Sequence, residues 1–347
     1  MTINALFSPS KARVERSDSA RQNSSQSGAA LLAAMLTVTL VASFAAAAAW
    51  QQWRAVEIES AERSRVQAGW ILVGALDWAR LILREDANSG GADHLAEVWA
   101  VPLQEARLSS FLAADKNNTA LSPEDNDVEL FLSGQIVDVQ ARLNVMNLLD
   151  NGKVSEPTLA SFIKLFSLLD LEQRELFRMV EGLTAASDVQ TSTAPNANSR
   201  FAPLMPQRVE QLVWLGLSQT SLDKLTPFIT LLPTRTPVNL NTASVEVLYA
   251  SLADLDLAGA RRLATQRAAQ HYRNLGEASQ LFPAIASQFN DAQHSIASRY
   301  FEIRGRLRLE NTIVQERSLV QRDGLEVKTL WRERATLPKF EAQASLQ

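Results

Sequence analysis

The sequence predicts an α+β fold: one long N-terminal helix, membrane-spanning in its first part and packed on an antiparallel sheet in its second, with a large all-α domain inserted. Three observations carry this. Residues 29–50 hold no charge and run on into an amphipathic stem, residues 300–335 alternate apolar and polar, and the stretch between about 149 and 299 has helical apolar spacing. Of the 347 residues, 46% are hydrophobic, enough to bury a sizeable core. The net charge of −4 argues against a polyanionic partner, and the absence of cysteine removes disulfides, thiolate metal sites and a thiol nucleophile.

Residues 1–28 read as a polar leader in which Lys11, Arg13, Arg16 and Arg21 outnumber Glu15 and Asp18. The next 22 residues, Ala29 to Trp50, are about 33 Å long as a helix, enough to cross a hydrocarbon core of about 30 Å. The positive excess before them places the leader in the cytoplasm and the rest of the chain outside. Trp50 and Trp53 fall where the apolar run ends, a position that suits indole rings at a membrane interface. Three readings fit this segment: a secretory signal cut after Ala45–Ala49, a plain signal anchor, or a prepilin cut after Gly28, where the polar leader meets the apolar run directly.

Residues 51–148 read as a first α/β part. In the stem, Val56, Ala61, Val66, Trp70, Val73, Leu76 and Trp78 stand among Glu and Arg, as in a helix lying on a sheet. Residues 129–149 read as strand, turn and strand, with Gly134 as the break. Between them, Asp115, Asn117, Glu124 and Asp125 form an oxygen-rich stretch that suggests calcium but lacks the Gly and Glu of an EF-hand loop. Residues 149–299 are the helical insertion. Residues 300–335 form a meander with turns at Glu310-Asn311 and Asp323-Gly324, in which Glu302, Arg304 and Arg306 read as a solvated face. Residues 336–347 read as a flexible tail.

Inside the insertion, Val238 to Arg267 resembles the helix-hairpin-helix of DNA-binding uptake proteins, which is the alternative function. Asp254 and Asp256 stand where phosphate would dock, so nucleic acid is not the expected partner; Val245, Leu248, Leu252 and Leu255 read as a packing stripe. His94, His271 and His294 are far apart and belong to no ligand spacing, and no nucleophile elbow or phosphate loop occurs, so no enzymatic activity is expected.

Gly28 followed by AALLAAMLTVTL, the long stem, the β-rich C-terminal segment and the helical insertion together resemble the K-type minor pseudopilins of type II secretion systems, general secretion pathway protein K. The resemblance implies a pilin-like fold and an inner-membrane protein with one pass and a periplasmic head. A prepilin peptidase would cut between Gly28 and Ala29 and methylate Ala29. The partners it implies are the I- and J-type minor pseudopilins, the major pseudopilin and the inner-membrane assembly platform. Together the minor pseudopilins would form the tip complex that starts a pseudopilus for export of folded proteins across the outer membrane. Most pilin-like subunits carry Glu at the fifth position after the cut; here that position is Ala33, a lack shared with the K type.

Overall fold

The computed structural model describes residues 27–108, 130–191, 202–309 and 312–335. They fall into two units, one up to residue 61 and one from 62 on. The first unit is the apolar half of helix α1 (Ser27–Ser89). The calcium candidates at 115–125 and the tail from 336 on lie outside the described residues.

The second unit begins with the remainder of α1. There Ala68, Leu72, Leu76, Ala79 and Leu83 are buried, a stripe at steps of three and four that faces a sheet core containing Leu132, Ile136, Phe301, Ile303 and Leu307. This corrects the expected stem face. Leu76 alone of the seven stem positions is buried; Val73 is half-buried, and Val56, Ala61, Val66, Trp70 and Trp78 are exposed. Side-chain size misled the reading, because the face that meets the sheet uses two alanines to bring the backbones close.

The sheet has five antiparallel strands in the order β1 (Leu103–Arg107), β2 (Leu130–Asp138), β3 (Tyr300–Leu309), β4 (Thr312–Asp323) and β5 (Glu326–Ala335). Gly134 is not a break. It lies inside β2, paired with Gly305 of β3. A Cβ on Gly305 would meet Leu72 Cδ2 at 3.1 Å, so this glycine admits the helix, while one on Gly134 would meet the Arg304 carbonyl oxygen of the neighbouring strand at 3.0 Å. The β4–β5 turn falls at Asp323-Gly324, where Gly324 takes φ +57°.

Between β2 and β3 the chain forms helices α2 (Glu156–Leu168), α3 (Gln173–Thr191), α4 (Gln219–Leu225), α5 (Val245–Ser251), α6 (Leu257–Ala269) and α7 (Leu275–Ser279). They share a core of their own, centred on Phe162, Leu165, Leu176, Leu248 and Leu263. Leu248, Leu252 and Leu255 are buried in it and Val245 partly so. Two-residue strand pairs stitch the insertion together, among them Leu143–Asn144 with Ile229–Thr230.

The solvated face expected on β3 is largely internal. Tyr300 is 1% exposed, Glu302 and Arg304 are each 6% exposed, and Arg306 is half-buried. Loops of the insertion cover that side: Tyr300 and Thr234 share a hydroxyl hydrogen bond of 2.9 Å, and Leu232 packs in a cluster with Val139, Tyr300 and Leu319. Alternation marks which side chains share a face, but not whether a distant segment covers it.

Candidate functional site

The first half of α1 is the most unusual surface of the chain. Leu31, Leu32, Leu36, Val38, Val41 and Phe44 are each more than half exposed. At about 25 cal/mol per Å² of apolar surface, such a face is stable only when lipid or other helices cover it. Its hydroxyls already have partners within the helix: Thr37 donates to the Ala34 carbonyl at 2.8 Å, Thr39 to Leu36 at 2.9 Å and Ser43 to Thr39 at 2.8 Å. The hydroxyls of this stretch therefore do not demand water, which is a condition for lying in hydrocarbon. This is one helix long and apolar enough to cross a membrane.

Gly28, Ala29 and Ala33 are all exposed within the first turns of α1. Nothing lies within 4 Å of a Cβ built on Gly28, so packing does not require glycine there. The amides of a helix's first turn lack intrahelical acceptors, so the Gly28–Ala29 bond sits where the helix opens most readily. Trp50 and Trp53 are exposed and tilted against each other with centroids 5.2 Å apart, just before Arg54, the first charge after the apolar run.

A second concentration of polar groups joins the sheet to the insertion. Asp138, at the end of β2, is fully buried. Its Oδ2 accepts from Thr242 Oγ1 and Ser298 Oγ at 2.6 Å each and from Asn239 Nδ2 at 3.1 Å, and its Oδ1 accepts from the Gln140 amide at 2.8 Å. Burial pushes this carboxyl up to about 6, against the pull of the Ser298, Thr242 and Gln140 hydrogen bonds. Arg322 on β4 donates to Asp86 at 2.6 Å, to Asp93 at 2.6 and 2.7 Å and to the Ser298 carbonyl at 2.8 Å. The carboxylates of Asp86, Asp93 and Glu97 come within 4.8 Å of one another. Their oxygens suit a hard divalent cation; in this ion-pair network Arg322 pairs with two of them, Asp86 and Asp93, and its single positive charge offsets one of the three carboxylates. Sequence reading missed it because its members come from α1, the loop after it, β2, the insertion and β4.

The histidines divide. His94 and His271 stack with ring centroids 3.8 Å apart, which their sequence separation concealed, while His294 is buried and held down to about 4 by desolvation. The α5–α6 hairpin offers no phosphate site at α6: Asp256 Oδ1 accepts from the Gly259 amide at 2.7 Å and so caps it, and Asp254 bonds Gln288. Arg267 turns inward to the Leu240 carbonyl, with its pKa lowered to about 10 by burial.

Comparisons with known proteins agree with this architecture. Two family descriptions, each of type II secretion system (T2SS) protein K, match residues 141–234 and 238–297. Type II secretion system protein K of Pseudomonas aeruginosa is 26% identical over 326 residues, 88% of this chain and 89% of the relative. The protein of the same name from Klebsiella pneumoniae is 27% identical over 329 residues, 87% of this chain and 94% of the relative. Among solved structures, the GspK-GspI-GspJ complex of the enterotoxigenic Escherichia coli Type 2 Secretion System contains a chain that superposes with TM-score 0.60 at 20% identity, over 80% of this chain and 99% of that one.

Proposed function

The chain belongs to the type II secretion system protein K family, and from that membership we propose that it is the subunit that starts a pseudopilus. It is a minor pseudopilin of type II secretion. The observation that carries the finer reading is the uncovered, charge-free helical stretch 29–50, continuous in one helix with the residues that bury themselves on the sheet. A helix of this kind needs both a bilayer and neighbouring helices, and the small side chains of Ala29 to Ala49 permit close helix approach.

The leader then lies in the cytoplasm and the head in the periplasm of the inner membrane. A prepilin peptidase removes residues 1–28 and methylates Ala29. The Escherichia coli structure holds GspK with GspI and GspJ, and the I- and J-type pseudopilins are the partners assigned here. With Ala33 in place of the usual Glu, this subunit has no carboxylate at that position to pair with another subunit's terminal amine. That suits a first subunit, whose own entry does not use such a carboxylate. Its relatives are named as secretion-system components, and no catalytic role is assigned.

N-terminal mass spectrometry of membrane-extracted protein tests the processing step. The expected species begins at monomethylated Ala29. A mature start near Gln51 would establish a secretory signal instead and remove the membrane helix from the assembly reading.

A further inference from the structure

Helix α2 packs against α5 and carries Lys164 to the turn between α5 and α6. The Lys164 ammonium donates to three carbonyl oxygens of that turn, those of Leu252 at 2.7 Å, Ala253 at 3.0 Å and Leu255 at 2.9 Å. On its remaining side the Tyr249 ring lies with its centroid 4.1 Å from Nζ. An ammonium has three N–H donors. All three are spent on backbone carbonyls, and the aromatic face supplies a cation–π contact.

Three carbonyl oxygens about 3 Å from one point form a small negative bowl, the arrangement that replaces the hydration shell of an alkali-metal ion in selective pores. The bowl arises because α5 stops at Ser251, Leu252 takes an extended conformation (φ −112°, ψ 113°), and the carbonyls at a helix's end have no intrahelical donor. Partial burial lowers the Lys164 pKa on balance, and the charges of Asp254 and Asp256 offset part of that effect.

We propose that the Leu252–Leu255 turn is a monovalent-cation site that the chain fills from within, the Lys164 ammonium standing where a sodium or potassium ion would otherwise bind. The Asp256 cap occupies an amide at the start of α6, and Lys164 occupies the carbonyls after α5. One amide at the start of α6 and three carbonyls after α5 are therefore bonded internally, and the unit works as a strut that fastens α2 to α5 and α6. This inference does not depend on the secretion reading.

Thermal unfolding of the detergent-solubilised full chain and its Lys164→Met variant, in sodium, potassium and choline chloride at equal ionic strength, provides the test. Wild type should melt alike in all three salts. In choline the variant should melt roughly 5–10 °C lower, because a partly buried set of carbonyls loses its cation. Sodium or potassium should restore about half of that loss with a saturable concentration dependence. A variant that melts alike in the three salts, or no lower than wild type, overturns the proposal. Should the variant not fold, reductive methylation of the wild-type chain followed by peptide mass spectrometry decides it. Lys164 should be protected while Lys153 and Lys328 react, and a Lys164 that reacts at their rate refutes the internal site.

Discussion

Asp138 and Glu302 show how two buried carboxylates impose opposite pH dependences on one fold. Burial raises the folded Asp138 pKa to about 6 from 3.8. Between those values the folded chain keeps a proton the unfolded chain has released, so the stability Asp138 contributes is full below 3.8 and declines as pH rises through about 6. For Glu302, burial also raises the pKa, but the charges of Arg304 and Arg142 and the 2.6 Å bond from Arg304 outweigh it and hold it below 4.5. Its contribution is present above 4.5 and lost as pH falls through the lowered folded value. Denaturation at stepped pH should therefore lose its slope between 3.8 and about 6 in Asp138→Asn, and lose its acid-side decline in Glu302→Gln. At neutral pH, Asp138→Asn should cost about 2–4 kcal/mol, because an amide cannot accept at both oxygens' positions from Thr242, Ser298, Asn239 and Gln140. Glu302→Gln should cost about 3–5 kcal/mol by stranding Arg304, itself 6% exposed. Slopes unchanged from wild type in both variants would refute the assignment.

At the scale of elements, helix and sheet meet through small residues. Ala68 and Ala79 on α1 and Gly305 on β3 let Leu72 reach the sheet backbone. Overpacking this contact forces the helix off the sheet, so Gly305→Val should destabilise by about 1–3 kcal/mol. Leu83→Ala, a fully buried position on the same stripe, should cost about 2–5 kcal/mol by leaving a cavity. Chemical denaturation checks both, and a neutral Gly305→Val would mean that the contact is loosely packed. The stem also shows why a helical stripe is hard to place from composition. Trp70 is the largest apolar residue near its centre and is 73% exposed, whereas Ala68, two residues earlier, is fully buried. That exposed face of α1 remains available to neighbouring subunits.

For the molecule as a whole, the helical insertion sets the expected place in an assembly. It lies between β2 and β3 and carries its own core. A head enlarged in this way would obstruct subunits stacked along a shaft and has free space at an end. Together with the missing carboxylate at Ala33, this leads us to expect one copy per pseudopilus, at the tip. Gold labelling of the head on sheared filaments should mark one end only. Label spaced regularly along the shaft would contradict both arguments.

The sequence by itself determined the features that are local or compositional. These are the charge-free run at 29–50 with its polar border at Gly28, the meander periodicity of 300–335, and the helical texture of the insertion, because each depends on spacing within one stretch of chain. Only the tertiary structure decided which face of the stem is buried, that Gly134 lies within a strand, that Glu302 and Arg304 are covered, and that Asp138, Asn239, Thr242 and Ser298 meet. Those outcomes depend on contacts between segments distant in sequence, more than 100 residues for the Asp138 contacts, and whether a polar side chain faces water or another part of the protein is set by what folds over it, which no local pattern encodes.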